Sequence, residues 1–159
     1  MTVAAEMLAF LRKLHGELVR HAGGFVFAKG DDLHRHKLGL YCSMIEFAHA
    51  IVVLADGDAK IVIHVTFRAL LEAGVDLKNL CEDEGYLGNL VAADEEQWRR
   101  LYEATAKGEN PFLLALASAP DFEEQRAKSA AQLKELKRQG RAPLSIRSRF
   151  QRAGMANEY

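Results

Sequence analysis

Two apolar stretches decide the fold: L-G-L-Y-C-S-M-I-E-F-A-H-A-I-V-V-L-A (Leu38–Ala55) and I-V-I-H-V-T-F-R-A-L-L-E-A-G-V (Ile61–Val75), parted by Asp56-Gly57-Asp58. The first approaches the length of a membrane-spanning helix. Glu46 falls near its centre, however, where a carboxylate in hydrocarbon is costly and rare. The second carries Arg68 and Glu72 and is too short to span. Both therefore read as helices buried in a protein core, and no membrane is expected. Asp31-Asp32 can cap the earlier helix, which runs to about Ala55, and Asp58 can cap the later one, which reaches about Glu82 with Gly85 just past its end. The result is a central antiparallel hairpin, about residues 32–55 and 58–82. Because its helices are apolar nearly all round, it should be the buried pair.

The rest of the chain repeats the helical signal. Val3, Met7, Leu11, Leu14 and Leu18 recur at spacings of three and four, giving an amphipathic helix that stops near Gly23-Gly24. A helix over about 88–106 should carry Leu90, Trp98, Leu101 and Tyr102 to the core. Pro111, Pro120 and Pro143 suit three further helix starts, since proline is favoured at the first helical position. No segment of useful length has the two-residue period of a strand. The expectation is an all-α helical bundle, one domain over residues 1–159.

Composition agrees with a globular protein: 159 residues, 49% hydrophobic, 27% charged and a formal net charge of −1 exclude a disordered tail and a globally basic nucleic-acid binder. Cys42 and Cys81 form no C-x-x-C pair, and no secretory leader is evident, so they read as buried thiols of a cytoplasmic protein. Charge is unevenly spread. Residues 72–110 hold ten acidic and four basic side chains, whereas Lys134 to Arg152 holds seven basic and one acidic. Two surfaces that attract each other explain this, within one chain or between copies. A nucleic-acid surface is less well supported, because only Phe150 offers a stacking ring inside the basic stretch.

The polar residues that interrupt the hairpin are the candidate site: Glu46 and His49 on its first helix, His64, Arg68 and Glu72 on its second. With the turn centred on Gly57, Glu46 is level with Arg68 and His49 nearly level with His64. His64, Arg68 and Glu72 share one face by their four-residue spacing. This predicts a buried carboxylate–guanidinium–carboxylate cluster, Glu46–Arg68–Glu72, beside two imidazoles. Arginine suits the role because its planar fork serves two acids at once. Loss of Arg68 from a buried cluster should cost ~3–5 kcal/mol.

Glu46-Phe-Ala-His49 is also an E-x-x-H, the spacing of carboxylate-bridged di-iron bundles, but those need a second such motif and none exists here. A single zinc on Glu46, His49 and His64 is the remaining metal reading; Arg68 at the same level opposes it, and no cofactor is expected. His34 and His36 point different ways at a helix start and read as surface residues. No phosphate-binding loop, dinucleotide fingerprint or nucleophile motif is present, and no catalytic residue is expected.

The core H-V-T-F-R-A-L-L-E-A-G-V-D-L-K-N-L (His64–Leu80), within a run from Leu38 to Tyr86, resembles the bacterial family called domain of unknown function 5677 (DUF5677). Arg68 and Glu72 match that family's R-x-x-x-E helix. A-P-L-S-I-R-S-R-F (Ala142–Phe150), followed by Gly154 and Tyr159, is similar to its later part. The resemblance implies a helical fold and no established activity; family members continue past the equivalent of Tyr159 with a helix carrying a Ser and a His, a segment this sequence is expected to lack. A remoter likeness to HEPN-type ribonucleases lacks their arginine–histidine spacing. The expected function is a non-enzymatic interaction or self-association module, plausible as a homodimer. An RNA-directed or defence-related protein and a metal-dependent helical-bundle enzyme are the alternatives.

Overall fold

The computed structural model describes residues 3–57, 59–108 and 110–155. Among these there is no strand, and 81% of the structure is helical. The all-α expectation therefore holds. The α-helices are α1 (Val3–Ala22), α2 (Asp32–Asp56), α3 (Lys60–Glu82), α4 (Leu87–Lys107), α5 (Leu114–Ala117), α6 (Phe122–Arg138) and α7 (Ile146–Arg152), with 3-10 turns at Glu84–Tyr86 and Pro111–Leu113. They group into two compact units: α1, α2, α3 and α7 form one, and α4, α5 and α6 form the other.

Local chemistry sets several of these boundaries. Asp31 caps α2, its Oδ1 accepting from the backbone N–H of Leu33 at 2.8 Å and of His34 at 3.2 Å. The His34 N–H, first among several donors and cations, holds the Asp31 carboxyl below the usual carboxylate range. Asn110 Oδ1 accepts from Phe112 N–H and starts the turn at Pro111. Gly108 closes α4 in the left-handed region, at φ 68°, where a side chain would be strained. The expected cap at Asp58 lies outside the described residues.

In the first unit, α2 packs on both α1 and α3 around buried Leu11, Ala48, Ile51 and Leu70, with Leu14, Met44, Phe47, Val52, Ile63 and Phe67 against them. Arg12 Nη2 meets Asp56 Oδ1 at 2.6 Å, and the Tyr41 hydroxyl donates to the Leu18 carbonyl at 2.9 Å, so α1 runs antiparallel to α2. A second small core, Val75, Phe150 and Ala153 with Leu71, Ile146 and Met155, seats α7 on α3.

The hairpin forms as expected but is not the buried pair. Only 11% of α2's most apolar 18-residue window is buried. Gly39, Cys42, Glu46, His49 and Val53, spaced three and four apart, make up its exposed stripe. An apolar helix in a three-helix layer is covered on two sides only, and the third side faces out.

In the second unit, α4 packs on α6, and Ala92, Phe122 and Leu133 are buried. Tyr102 meets Phe122 edge-to-face at 5.6 Å and stacks on Trp98 at 5.8 Å. Trp98 is 47% exposed rather than in the core, because it stands on the outer side of Tyr102. Asn89 Nδ2 donates to the Ala142 carbonyl at 2.8 Å and anchors the segment that follows α6.

Candidate functional site

A single face of α3 presents His64, Arg68, Glu72, Asp76 and Asn79, spaced four, four, four and three residues apart. Toward its C-terminal end this stripe runs under α7, and there its polar groups are buried. Arg149 on α7 supplies the counter-charge. Its Nε donates to Asp76 Oδ1 at 2.8 Å, its Nη2 donates to Asp76 Oδ2, and its Nη1 lies 3.5 Å from Glu72 Oε2. The Arg149 and Asp76 side chains are only 19% and 10% exposed. Asn79 Nδ2 donates to the Arg149 carbonyl at 3.0 Å, while its buried Oδ1 accepts no hydrogen bond. Arg152 pairs with Asp83 one turn further along. A planar fork set bidentately on a carboxylate fixes both distance and rotation, so this pair sets how α7 lies on α3.

The expected cluster forms in part. Arg68 Nε donates to Glu72 Oε1 at 2.9 Å, so that pairing exists. Arg68 is not buried, though: its side chain is 61% exposed. Glu46 is exposed on the outer stripe of α2 and joins no ion pair among the described residues. His49, also exposed, packs its ring against His15 of α1, with centroids 5.1 Å apart. Equal height along a hairpin fixes axial position but not which way each side chain turns. Glu46 turns to water and His49 to the His15 ring of α1, whereas Arg68 and Glu72 turn toward α7.

His64, Arg68 and Glu72 do share a cleft of about 190 Å³, closed by Phe67, Leu71, Ile146 and Phe150. The zinc reading is corrected by the same geometry. Glu46, His49 and His64 do not converge, and no group of three histidine, cysteine, aspartate or glutamate side chains that could hold a metal occurs among the described residues. The cysteines are corrected too. Both are free and exposed, Cys42 on the outer stripe of α2 and Cys81 in a cleft near the end of α3.

Charge imbalance along the chain resolves largely into internal pairs. From the basic stretch, Lys137 reaches Glu96 at 3.4 Å, Arg138 pairs with Glu135 at 2.7 Å, and Arg149 and Arg152 serve the acids of α3 and its end. Three cations converge on Glu96. Hydrogen bonds from Arg99, then Arg100 and Lys137, pull its pKa down to about 2 against the opposing effect of burial.

Sequence reading missed Asp76, Asn79 and Arg149. The signal was present in the continuation of the Arg68–Glu72 spacing to Asp76 and Asn79, which marks a polar stripe in need of a partner. Nothing in the spacing named α7 as that partner. Among known proteins, the model of a family described as being of unknown function matches residues 34–159. No curated protein and no solved structure matches the chain.

Proposed function

The chain belongs to that family, DUF5677, so its role has to be argued from its own surface, and we propose that it is a non-enzymatic self-association module. One observation carries this reading. Met7 and Phe10 of α1, Val53 of α2, and Val62 and Val65 of α3 are all exposed, and all lie toward the end of the first unit where α2 turns into α3. Five large apolar side chains gathered at one end of a small unit favour association, since each contributes in proportion to the apolar area it removes from water. A second copy offering the same end would form a closed, isologous pair.

Length and apolar composition alone would let α2 cross a membrane. Its exposed stripe holds Glu46 and His49, and a surface of that kind favours protein or water as its surroundings. We propose a cytoplasmic location for the module. The internal pairing of the Lys134–Arg152 stretch weakens the RNA-directed reading, and the dispersal of the candidate ligands weakens the metal-enzyme reading.

Sedimentation equilibrium tests the proposal. The wild-type chain should be dimeric, and Phe10→Glu with Val65→Glu should give a monomer of unchanged helicity. A monomeric wild type, or a double variant that stays dimeric, overturns it. A gel-shift titration with single-stranded RNA should show binding that is weak and lost by about 200 mM salt, as contacts made only to phosphates are. Tight, salt-resistant binding would favour the RNA-directed reading instead.

A further inference from the structure

The opposite end of the same unit carries a cleft of about 280 Å³ between the α1–α2 loop, the start of α2 and the end of α3. Its walls are Phe25, Val26, Phe27, Leu38, Tyr41 and Leu77, and the cationic side chain of Lys37, His34 and Cys81 complete the lining. We propose that this cleft binds a small apolar carboxylate, such as a medium-chain fatty acid, with the chain among the aromatic rings and the head group on Lys37 and His34.

Three observations carry the proposal. First, the loop residues Phe25, Val26 and Phe27 are three consecutive large apolar side chains, all exposed, with Val26 almost wholly so. Phe25 is nevertheless set in place, edge-to-face on Tyr41 with ring centroids 4.6 Å apart. Burial raises the Tyr41 phenol above its ordinary pKa, as befits an apolar wall. Covering this surface with an apolar chain recovers the area that the fold leaves wet. Second, the cleft is near the lower end of the ~300–1,000 Å³ range of small-molecule sites, which suits one short chain.

Third, the lining holds one cation, Lys37, and no carboxylate. Lys37 Nζ has Glu84 Oε1 at 3.9 Å, a long contact to a mostly exposed carboxylate, which a bound carboxylate can replace. His34 is oriented by the Ala28 N–H, which points to its Nδ1 at 3.2 Å; Asp31 Oδ2 stands 3.9 Å from the same nitrogen. With Nδ1 engaged as an acceptor, the ring's other nitrogen carries the proton and is a donor. An ammonium beside an N–H donor recognises a carboxylate and rejects a cation.

Cys81 supplies a reporter inside the cleft, and Cys42, exposed on the outer stripe of α2, supplies a control on the same molecule. The full chain is treated with iodoacetamide alone and with decanoate, decanol or decyltrimethylammonium, and alkylation of each cysteine is followed by mass spectrometry. Decanoate should slow Cys81 alkylation severalfold while Cys42 reacts at an unchanged rate; decanol should protect less, and the ammonium least. Lys37→Met should weaken the decanoate effect about tenfold, the loss expected for one charge-assisted bond. Equal protection by all three amphiphiles, protection of both cysteines together, or none by decanoate overturns the proposal. So does protection that rises with protein concentration without any amphiphile, which would show a second copy in the cleft. Because these residues lie at the other end of the unit, the Phe10 and Val65 variants should bind decanoate as the wild type does.

Discussion

Replacing Arg149 by alanine removes both hydrogen bonds to Asp76 and the nearby cation of Glu72, and leaves Asp76, 10% exposed, without its guanidinium. Breaking a buried ion pair from one side typically costs ~3–5 kcal/mol, because the remaining charge stays desolvated. The cost falls on a short helix. α7 has seven residues and keeps its apolar seat at Phe150 and Ala153, the Asn79 bond to the residue-149 carbonyl and the Arg152–Asp83 pair, so in the variant it should loosen on α3. Arg68→Ala makes the contrast. Its pair with Glu72 is an exposed i,i+4 contact of the kind worth ~0.3–0.5 kcal/mol. Thermal unfolding followed by far-UV circular dichroism reads both. At about 2–4 °C per kcal/mol for a chain of this size, Arg149→Ala should melt on the order of 10 °C lower and Arg68→Ala within about 2 °C of wild type. Arg149→Lys should recover part of the loss, since an ammonium replaces the charge but not the fork. Equal losses for the two alanine variants, or a loss under about 1 kcal/mol for Arg149→Ala, would refute the assignment of Arg149 as the group that fixes α7.

Leu70, buried in the core between α2 and α3, should lose ~2–5 kcal/mol on replacement by alanine, read as a lower urea midpoint with unchanged slope. Asp31→Ala should cost about 1 kcal/mol through the lost α2 cap, whereas Asp31→Asn should cost little. Glu96 has a folded pKa of about 2 against an ordinary 4.5, so its stabilisation is complete above about pH 5 and is lost as pH falls toward 2. Urea midpoints measured from pH 6 to 2 should therefore fall less steeply for Glu96→Gln than for wild type. Parallel curves would show that Glu96 does not drive the acid response.

The helices were legible because their signals are local. Asp31 before an apolar run and the three-and-four spacing of Leu11, Leu14 and Leu18 each act within a turn or two. Of the three prolines, only Pro111 opens an element, a 3-10 turn, whereas Pro120 and Pro143 lie two and three residues ahead of α6 and α7. What α2 packs against is not a local matter. Its apolar residues promised burial, but a helix flanked on two sides hides only part of its surface, and Cys42, Glu46 and His49 fell on the remainder. The site was half legible for a similar reason. Arg68 and Glu72 pair within one helix, as their spacing requires, whereas Arg149 reaches Asp76 from a distant segment whose approach no periodicity encodes. The grouping of helices into two units also went unmarked, since only Asp83 separates α3 from the 3-10 turn before α4, with no linker composition to signal it.

The return of α7 has a consequence for the order in which the molecule is built. α1 to α3 leave the ribosome first, followed by the whole of the second unit, and only then by the residues that cover Val75, Asp76 and Asn79. During that interval the nascent hairpin holds an uncovered carboxylate, an amide and an apolar seat beside one another. Closing so long a loop carries an entropic cost that rises only slowly with its length, so the distance of α7 along the chain does not by itself forbid its docking. A ribosome paused after α6 would therefore present a hairpin receptive to any short helix bearing an arginine beside an apolar residue, and prompt completion of the chain is what keeps that seat for α7.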